Sequence, residues 1–180
     1  MRRRAVDGDK TFGEVITGVD LAAPLDASTW SSIEACLHER GILIFKDQGH
    51  LTIPEEMAFA ARWGHMEDHG AIPVLPITNV NKKGETLVAN TNAYYNLQGN
   101  EGWHIDNTYQ PRSAKAGILR AAVVPPGGTQ TAFCDGWAAY DALDEATRSR
   151  ISGLAAYHSG LYSQVFLLKM MDFLPIFYPK

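Results

Sequence analysis

The sequence predicts an α+β fold, with helices early in the chain and strands joined by turns in the later part. Two early segments carry apolar residues at helical spacing, one beginning near Ser28 and the other near Thr52. Later segments are apolar runs of strand length that are separated by glycine and proline turns. A short helical insertion is predicted after Asp135, so helices flank the predicted sheet on both sides in sequence.

The first elements are predicted from β-branched runs and from one apolar helix face. Residues 12–21 contain a β-branched run between glycines, which is typical of a short strand and turn. A helix is predicted from about Ser28 to Arg40 and ends before Gly41, because three apolar side chains share one face: Trp30, Ile33 and Leu37. The following run, Ile42–Phe45, is continuously apolar and predicts a strand buried on both faces.

The second helix has a clear start signal. Thr52 and Glu55 have the spacing of a capping box, and Pro54 lies in the first turn. Gly64 is expected to end the helix. Beyond it, residues 65–102 are predicted to be rich in loops, with three segments of interest: strands at Ile77–Val80 and Leu87–Asn90 and a flexible polar loop from Asn92 to Gly102.

The last predicted elements are two strands and two short helices. The apolar run Ala116–Val124 and the segment Thr129–Cys134 are strand candidates on either side of a proline–glycine turn. Asp135 and Asp144 can each cap a helix, through about Leu143 and Ile151 respectively.

Composition limits the class of protein. The chain of 180 residues suits a single domain over 1–180, and 46% hydrophobic residues allow a core. The net charge of −4 argues against a nucleic-acid partner. No apolar stretch follows Met1–Arg4 as a secretory signal would require, and no run is long enough to cross a membrane. Cys36 and Cys134 lie far apart in sequence, which fits a reducing cytoplasm rather than a disulfide scaffold.

The motif with the clearest chemistry is Trp103-His104-Ile105-Asp106. On a strand, residues i and i+2 point to the same face, so His104 and Asp106 can offer a nitrogen and an oxygen to one metal ion. This pair is two-thirds of a two-histidine, one-carboxylate site, which leaves open positions on Fe(II). The alternative is a surface histidine and aspartate at a turn, and the motif alone does not decide between them.

A second histidine pair invites a zinc interpretation. His65 and His69 stand at i and i+4, but Glu67 is not where an HExxH site needs its glutamate, and Gly64 has just ended the helix. A plain polar loop is therefore favoured over a metal site there.

Six segments in order along the chain resemble one enzyme family. The sequence is similar to the Fe(II)/2-oxoglutarate-dependent dioxygenases of the taurine dioxygenase and 2,4-dichlorophenoxyacetate dioxygenase (TauD/TfdA) family, in segments 18–21, 41–45, 58–64, 103–106, 125–133 and 138–143. The resemblance implies a double-stranded β-helix (jelly-roll) core with flanking helices. It also implies Fe(II), 2-oxoglutarate as cosubstrate, O₂, and a small, acidic substrate that is hydroxylated with release of succinate and CO₂.

The resemblance implies roles for particular residues. His104 and Asp106 match the first two iron ligands, and Thr131 matches a threonine that donates to a carboxylate of 2-oxoglutarate. His69 lies near a family histidine that contacts the substrate's acidic group, and Asn100 is a candidate for the substrate pocket. The turn from Pro125 to Thr129 departs from the commoner Pro-Pro-Thr-Gly-Gly.

The family pattern breaks after the first two ligands. A complete site needs a distal histidine and an arginine for 2-oxoglutarate, but the only later histidine is His158, which follows a helical insertion, and no arginine follows Arg150. We therefore expect the N-terminal portion of a longer dioxygenase domain, inactive by itself. The alternative is a truncated, non-catalytic binding protein. A hydrolase that uses the same pair lacks a nucleophile motif. The apolar stretch Val165–Tyr178 could be buried in an absent half or in a homo-oligomer.

Overall fold

The computed structural model describes residues 1–6, 8, 11–67, 74–99, 102–127 and 130–159. Within these ranges the chain forms strands β1 (Arg2–Ala5), β2 (Glu14–Thr17) and β3 (Leu43–Phe45), and helices α1 (Ala27–Arg40), α2 (Ile53–Ala61), α3 (Asn92–Gly99), α4 (Gly136–Asp141) and α5 (Glu145–Ile151). The contacts divide the chain into two compact units, Met1–Met66 with Ile118–Leu154 and Glu67–Gly117 with Ala155–Lys180. The predicted α+β class is confirmed.

The first unit holds a three-stranded sheet in the order β1-β2-β3. β1 pairs antiparallel with β2, with Arg3 opposite Ile16, and β2 pairs parallel with β3, with Val15 opposite Ile44. Parallel neighbours need a crossover connection, which α1 provides. β1 was not predicted, because its three arginines lack an apolar alternation and only pairing with β2 makes the segment a strand.

α1 begins and ends where local chemistry dictates. Asp26 is its N-cap, and its side chain accepts a hydrogen bond of 2.8 Å from the amide of Thr29. At the other end Gly41 adopts φ 71°, which favours glycine, and a Cβ there would lie 3.0 Å from Phe12 Cε2, so that the Phe12 ring would have to shift. Ile33 and Cys36 carry the buried face of α1.

α2 has the predicted capping box. The amide of Thr52 donates to Glu55 Oε2 at 2.8 Å. Phe59 is the buried apolar residue of α2, and its ring lies 6.1 Å from that of Trp30, which in turn lies 4.7 Å from the ring of Trp63. Edge-to-face pairs of this kind stabilise the packing of α2 on α1 beyond simple area burial.

The prediction that the third strand is buried on both faces is wrong. Ile44 is 38% exposed, so the run Ile42–Phe45 is not buried on both faces. In the described part of the chain β3 is an edge strand that pairs with β2 alone.

The prediction of a flexible polar loop from Asn92 to Gly102 is wrong over most of its length, because Asn92–Gly99 forms helix α3. Thr91 supplies the cap: its hydroxyl accepts from the amide of Tyr94 at 3.3 Å, and its carbonyl accepts from that of Tyr95 at 3.0 Å. The polar composition of this segment favoured a loop, although Thr91 is a residue type that commonly begins a helix.

None of the predicted later strands forms within the described residues. Around Ile77–Val80 and Leu87–Asn90 there is one bridge, Val80 to Thr86, and the segments Ala116–Val124 and 130–134 are irregular. Val123 is 85% exposed there. A strand needs a partner for its backbone groups, and the apolar pattern does not reveal whether one is present.

α4 and α5 follow their predicted caps. The side chain of Asp135 accepts from the amides of Trp137 and Ala138, and that of Asp144 accepts from the amide of Thr147. No helix in the described ranges is long and apolar enough to span a bilayer. The apolar stretch Val165–Tyr178 lies outside the described residues.

Candidate metal centre

His104 and Asp106 face each other in the second unit. His104 Nε2 lies 3.3 Å from Asp106 Oδ1, and the two side chains are 50% and 78% exposed. The predicted strand does not form at this point, because residues 103–105 are irregular and residues 106–109 are a turn. The two side chains nevertheless meet, so the juxtaposition comes from the entry into the turn and not from the pleat of a strand.

The proton on His104 is placed by the backbone. His104 Nδ1 lies 2.7 Å from the carbonyl oxygen of Gly102. A carbonyl only accepts hydrogen bonds, so Nδ1 must be the donor, and in the neutral ring Nε2 carries the lone pair. Metal-binding histidines commonly donate their other ring N–H to a carbonyl in this way, which fixes the tautomer and the ring orientation.

The separation of the two donor atoms fits one divalent ion. Two ligands at right angles on a metal with bonds of about 2.1 Å are about 3.0 Å apart, close to the 3.3 Å between His104 Nε2 and Asp106 Oδ1. An imidazole nitrogen with a carboxylate oxygen suits Fe(II) and similar ions. Both side chains are open to solvent, so a metal bound here would keep free positions for other ligands.

The described part of the chain holds no group of three or more His, Cys, Asp or Glu side chains that could bind a metal ion. His158 Nδ1 lies 2.8 Å from the hydroxyl of Thr108, two residues beyond Asp106. That contact joins the segment around His158 to the turn that follows the pair. Two ligands bind a divalent ion weakly by themselves, because they do not enforce a coordination geometry.

The turn after Asp106 is held by side chains. Asn107 adopts φ 58°, and its side-chain nitrogen Nδ2 donates a hydrogen bond to Glu67 Oε2. Gln110 Nε2 lies 3.4 Å from Glu67 Oε1, and the hydroxyl of Tyr109 donates to Asn107 Oδ1 at 3.2 Å. Glu67 was missed as a site residue: it was considered only as part of a zinc motif, and nothing local signals a contact 40 residues away.

The other predicted site residues are placed as follows. Thr131 lies in the first unit, exposed and in irregular backbone, not in the strand that was predicted for it. His69 and Asn100 lie outside the described residues, as do Gly128 and Thr129 of the turn before Thr131. Their roles remain predictions.

Two polar side chains near the start of α3 are hydrogen-bonded to each other. The hydroxyl of Tyr95, in α3, donates to Asn90 Oδ1 at 2.9 Å, and Asn90 adopts φ 66°. This pairing closes the turn that leads into α3. In the first unit, Arg120 Nε forms an ion pair with Glu56 Oε2 at 2.8 Å.

Two pockets lie in the first unit. One of about 180 Å³ includes Phe12, Arg40 and Trp137, and one of about 190 Å³ includes Leu21, Phe59 and Arg62. Neither contains a residue that the sequence predicted to bind metal, 2-oxoglutarate or substrate.

Comparison with known proteins gives a consistent result. The profile of the family described as "Taurine catabolism dioxygenase TauD, TfdA family" matches residues 4–171. The (S)-phenoxypropionate/alpha-ketoglutarate-dioxygenase of Sphingobium herbicidovorans is 45% identical over 158 residues, covering 87% of this chain and 53% of that protein. The alpha-ketoglutarate-dependent 2,4-dichlorophenoxyacetate dioxygenase of Cupriavidus pinatubonensis is 33% identical over 174 residues, covering 90% of this chain and 60% of that protein.

A solved structure is also similar. The crystal structure of AAD-2 in complex with Mn(II) and N-oxalylglycine matches with a TM-score of 0.79 and 32% sequence identity, over 92% of this chain and 59% of that one. The chain thus spans between about half and three fifths of the length of the proteins it matches.

Proposed function

The chain belongs to the taurine catabolism dioxygenase TauD, TfdA family, and on that basis we propose that it is part of an Fe(II)- and 2-oxoglutarate-dependent dioxygenase that hydroxylates a small acidic substrate. Relatives named as alpha-ketoglutarate-dependent dioxygenases of phenoxypropionate, 2,4-dichlorophenoxyacetate and sulfate esters support this reaction class. O₂ is the proposed oxidant, and succinate and CO₂ are the proposed products of the cosubstrate.

The observation that carries the proposal is the pairing of His104 with Asp106. His104 Nε2, with its lone pair directed by the bond from Nδ1 to the Gly102 carbonyl, lies 3.3 Å from Asp106 Oδ1. We assign these two atoms as iron ligands. Bound Fe(II) would supply the position at which O₂ is activated and 2-oxoglutarate is oxidatively decarboxylated.

Three further residues are proposed to bind the cosubstrate and the substrate. Thr131 is proposed to donate its hydroxyl to a carboxylate of 2-oxoglutarate, a charge-assisted hydrogen bond. His69 is proposed to contact the acidic group of the substrate, and Asn100 to line its pocket. We propose that the third ligand and the 2-oxoglutarate arginine of the family pattern lie in the part of the relatives that this chain does not match, since it covers 53% of the length of the Sphingobium protein.

The same comparison supports a proposal for the architecture. We propose that residues 1–180 are the N-terminal portion of one jelly-roll domain, incomplete in this chain. AAD-2 matches 92% of this chain but only 59% of its own length. Free Cys36 and Cys134 fit a reducing compartment, and we propose the cytoplasm.

The test is turnover by the full-length gene product. Succinate is measured with Fe(II), 2-oxoglutarate and O₂ in the presence of (S)-2-phenoxypropionate, 2,4-dichlorophenoxyacetate or an alkyl sulfate. We expect substrate-dependent succinate that is lost in His104→Ala and kept in His50→Ala, which removes another exposed histidine paired with an aspartate. Absence of succinate with all three substrates, as the non-catalytic alternative predicts, would contradict the proposal.

A further inference from the structure

The contacts around Asn107 point to a role for Glu67. We infer that Glu67 is a positioning residue, which holds the turn after Asp106 so that the Asp106 carboxylate stays within reach of the ion bound by His104. This inference rests on the proposed function, since it assumes that the two residues bind a metal ion. Glu67 itself is not proposed as a metal ligand.

The position of the Asp106 carboxylate depends on the backbone around it. Its side chain is 78% exposed, and among the described residues the contact that the structure gives its carboxylate is the one with His104. A side chain that is not packed takes its position from the backbone that carries it. The residue that follows, Asn107, adopts φ 58°, a left-handed conformation that asparagine tolerates better than most residues.

Glu67 braces that conformation at two points. One carboxylate oxygen accepts from the side-chain amide of Asn107, and the other lies 3.4 Å from Gln110 Nε2. The backbone closes the same turn, with the amide of Gln110 donating to the Asn107 carbonyl at 3.0 Å. One carboxylate therefore links Asn107, inside the turn, to Gln110, the residue directly after it.

The chain offers a matched control in the same unit. Glu85 Oε2 accepts from Asn81 Nδ2 at 2.8 Å, which is again a carboxylate bonded to an asparagine side chain at a turn. That turn carries no predicted metal ligand. Glu85→Ala therefore removes the same kind of bond without reaching His104 or Asp106.

The experiment measures the Mn(II) affinity of the full-length gene product, using the electron paramagnetic resonance signal of free Mn(II). We expect Glu67→Ala to weaken binding by about 10-fold, which is the lower end for loss of an outer-shell partner. Glu67→Gln keeps an oxygen for Asn107 and should stay within about 3-fold of the wild type. Glu85→Ala should bind Mn(II) as the wild type does.

A second variant guards against loss of folding. Asn107→Gly tolerates the left-handed φ but cannot bond Glu67, so it should weaken Mn(II) binding about as much as Glu67→Ala does, and the double variant should weaken it little further. Melting temperatures in EDTA check that each variant is folded. Additive losses in the double variant would contradict the inference.

The outcomes separate this inference from the proposed function. If the wild type binds no Mn(II), the proposed function is contradicted and the inference with it. If the wild type binds Mn(II) and Glu67→Ala binds it equally well, the positioning role alone is wrong. If Glu67→Gln loses as much affinity as Glu67→Ala, the negative charge of Glu67 matters and its hydrogen bond to Asn107 does not, which also overturns the inference.

Discussion

Arg120 Nε lies 2.8 Å from Glu56 Oε2, and the side chain of Glu56 is only 10% exposed. Arg120 also donates from Nη1 to the carbonyl of Leu51 at 3.1 Å. The irregular segment that contains Arg120 is thereby tied to the beginning of α2. Because this segment has no ladder of backbone hydrogen bonds in the described part of the chain, the ion pair is a main local constraint on it.

Breaking this pair should destabilise the first unit. In a double-mutant cycle with Arg120→Ala and Glu56→Ala, we expect a coupling energy of about 1–2 kcal/mol, below the values for fully buried pairs because Arg120 is partly exposed. The free energy of unfolding from urea titration measures it. The same cycle on the exposed pair Arg148–Glu145, 3.6 Å apart, should show no measurable coupling, and equal coupling in the two cycles would contradict the account.

The two thiols should react at very different rates. Cys36 is fully buried on the inner face of α1, and burial raises the pKa of its thiol, whereas Cys134 is exposed. With a disulfide reagent at neutral pH, we expect Cys134 to be modified rapidly and Cys36 only after urea is added. Absorbance of the released thiolate counts the thiols that have reacted. Rapid modification of Cys134→Ser would show that Cys36 is accessible and that α1 is not packed as described.

His50 and Asp20 should make stability depend on pH. His50 Nε2 lies 2.8 Å from Asp20 Oδ1, and this hydrogen bond raises the pKa of His50 and, together with the amide of Ala22, lowers the pKa of Asp20. The raised pKa stabilises the fold fully below about pH 6.5 and less as pH rises through the folded value. The lowered pKa of Asp20 contributes above about pH 3.9 and is lost as pH falls. The pair therefore stabilises most between these limits.

The measurement compares wild type with His50→Gln. The difference in their urea midpoints should be larger at about pH 5 than at about pH 8.5. Asp20→Asn should remove the same dependence, since its amide carries no charge. A difference that does not change with pH would show that the two side chains do not interact in solution.

Several elements could be predicted because their signals are local. Asp135 and Asp144 each accept from amides of the turn that follows, and the Thr52–Glu55 box forms as its spacing indicates. Gly41 ends α1 with a positive φ, and the glycine itself was the signal in the sequence, because glycine adopts this conformation readily. These elements depend on residues no more than four positions apart.

The strands could not be predicted in the same way. Arg2–Ala5 is a strand because β2 lies beside it, although its composition argues against one. Val123 belongs to an apolar run of strand length and is nevertheless irregular and exposed. A strand is defined by a partner that can be far away in sequence, and a local pattern cannot supply that information.

In the candidate site, too, the local features could be predicted and the contacts that depend on the fold could not. The proximity of His104 and Asp106 was predicted from their spacing and their role as iron ligands from the family resemblance, although the strand that motivated the spacing argument is absent from this part of the described chain. The bond from His104 Nδ1 to the Gly102 carbonyl and the brace from Glu67 depend on how the backbone folds around the motif. No residue pattern in the sequence indicates either of them.

The central claim is that His104 Nε2 and Asp106 Oδ1 bind one iron ion. The most direct measurement is anaerobic equilibrium dialysis of the full-length gene product against Fe(II), with His104→Ala, Asp106→Ala and the control His50→Ala. We predict one Fe(II) per wild-type chain, unchanged in His50→Ala, and an affinity lower in the other two by more than the roughly 10- to 100-fold that loss of an outer-shell partner costs. Binding by His104→Ala or Asp106→Ala with wild-type affinity would contradict the claim.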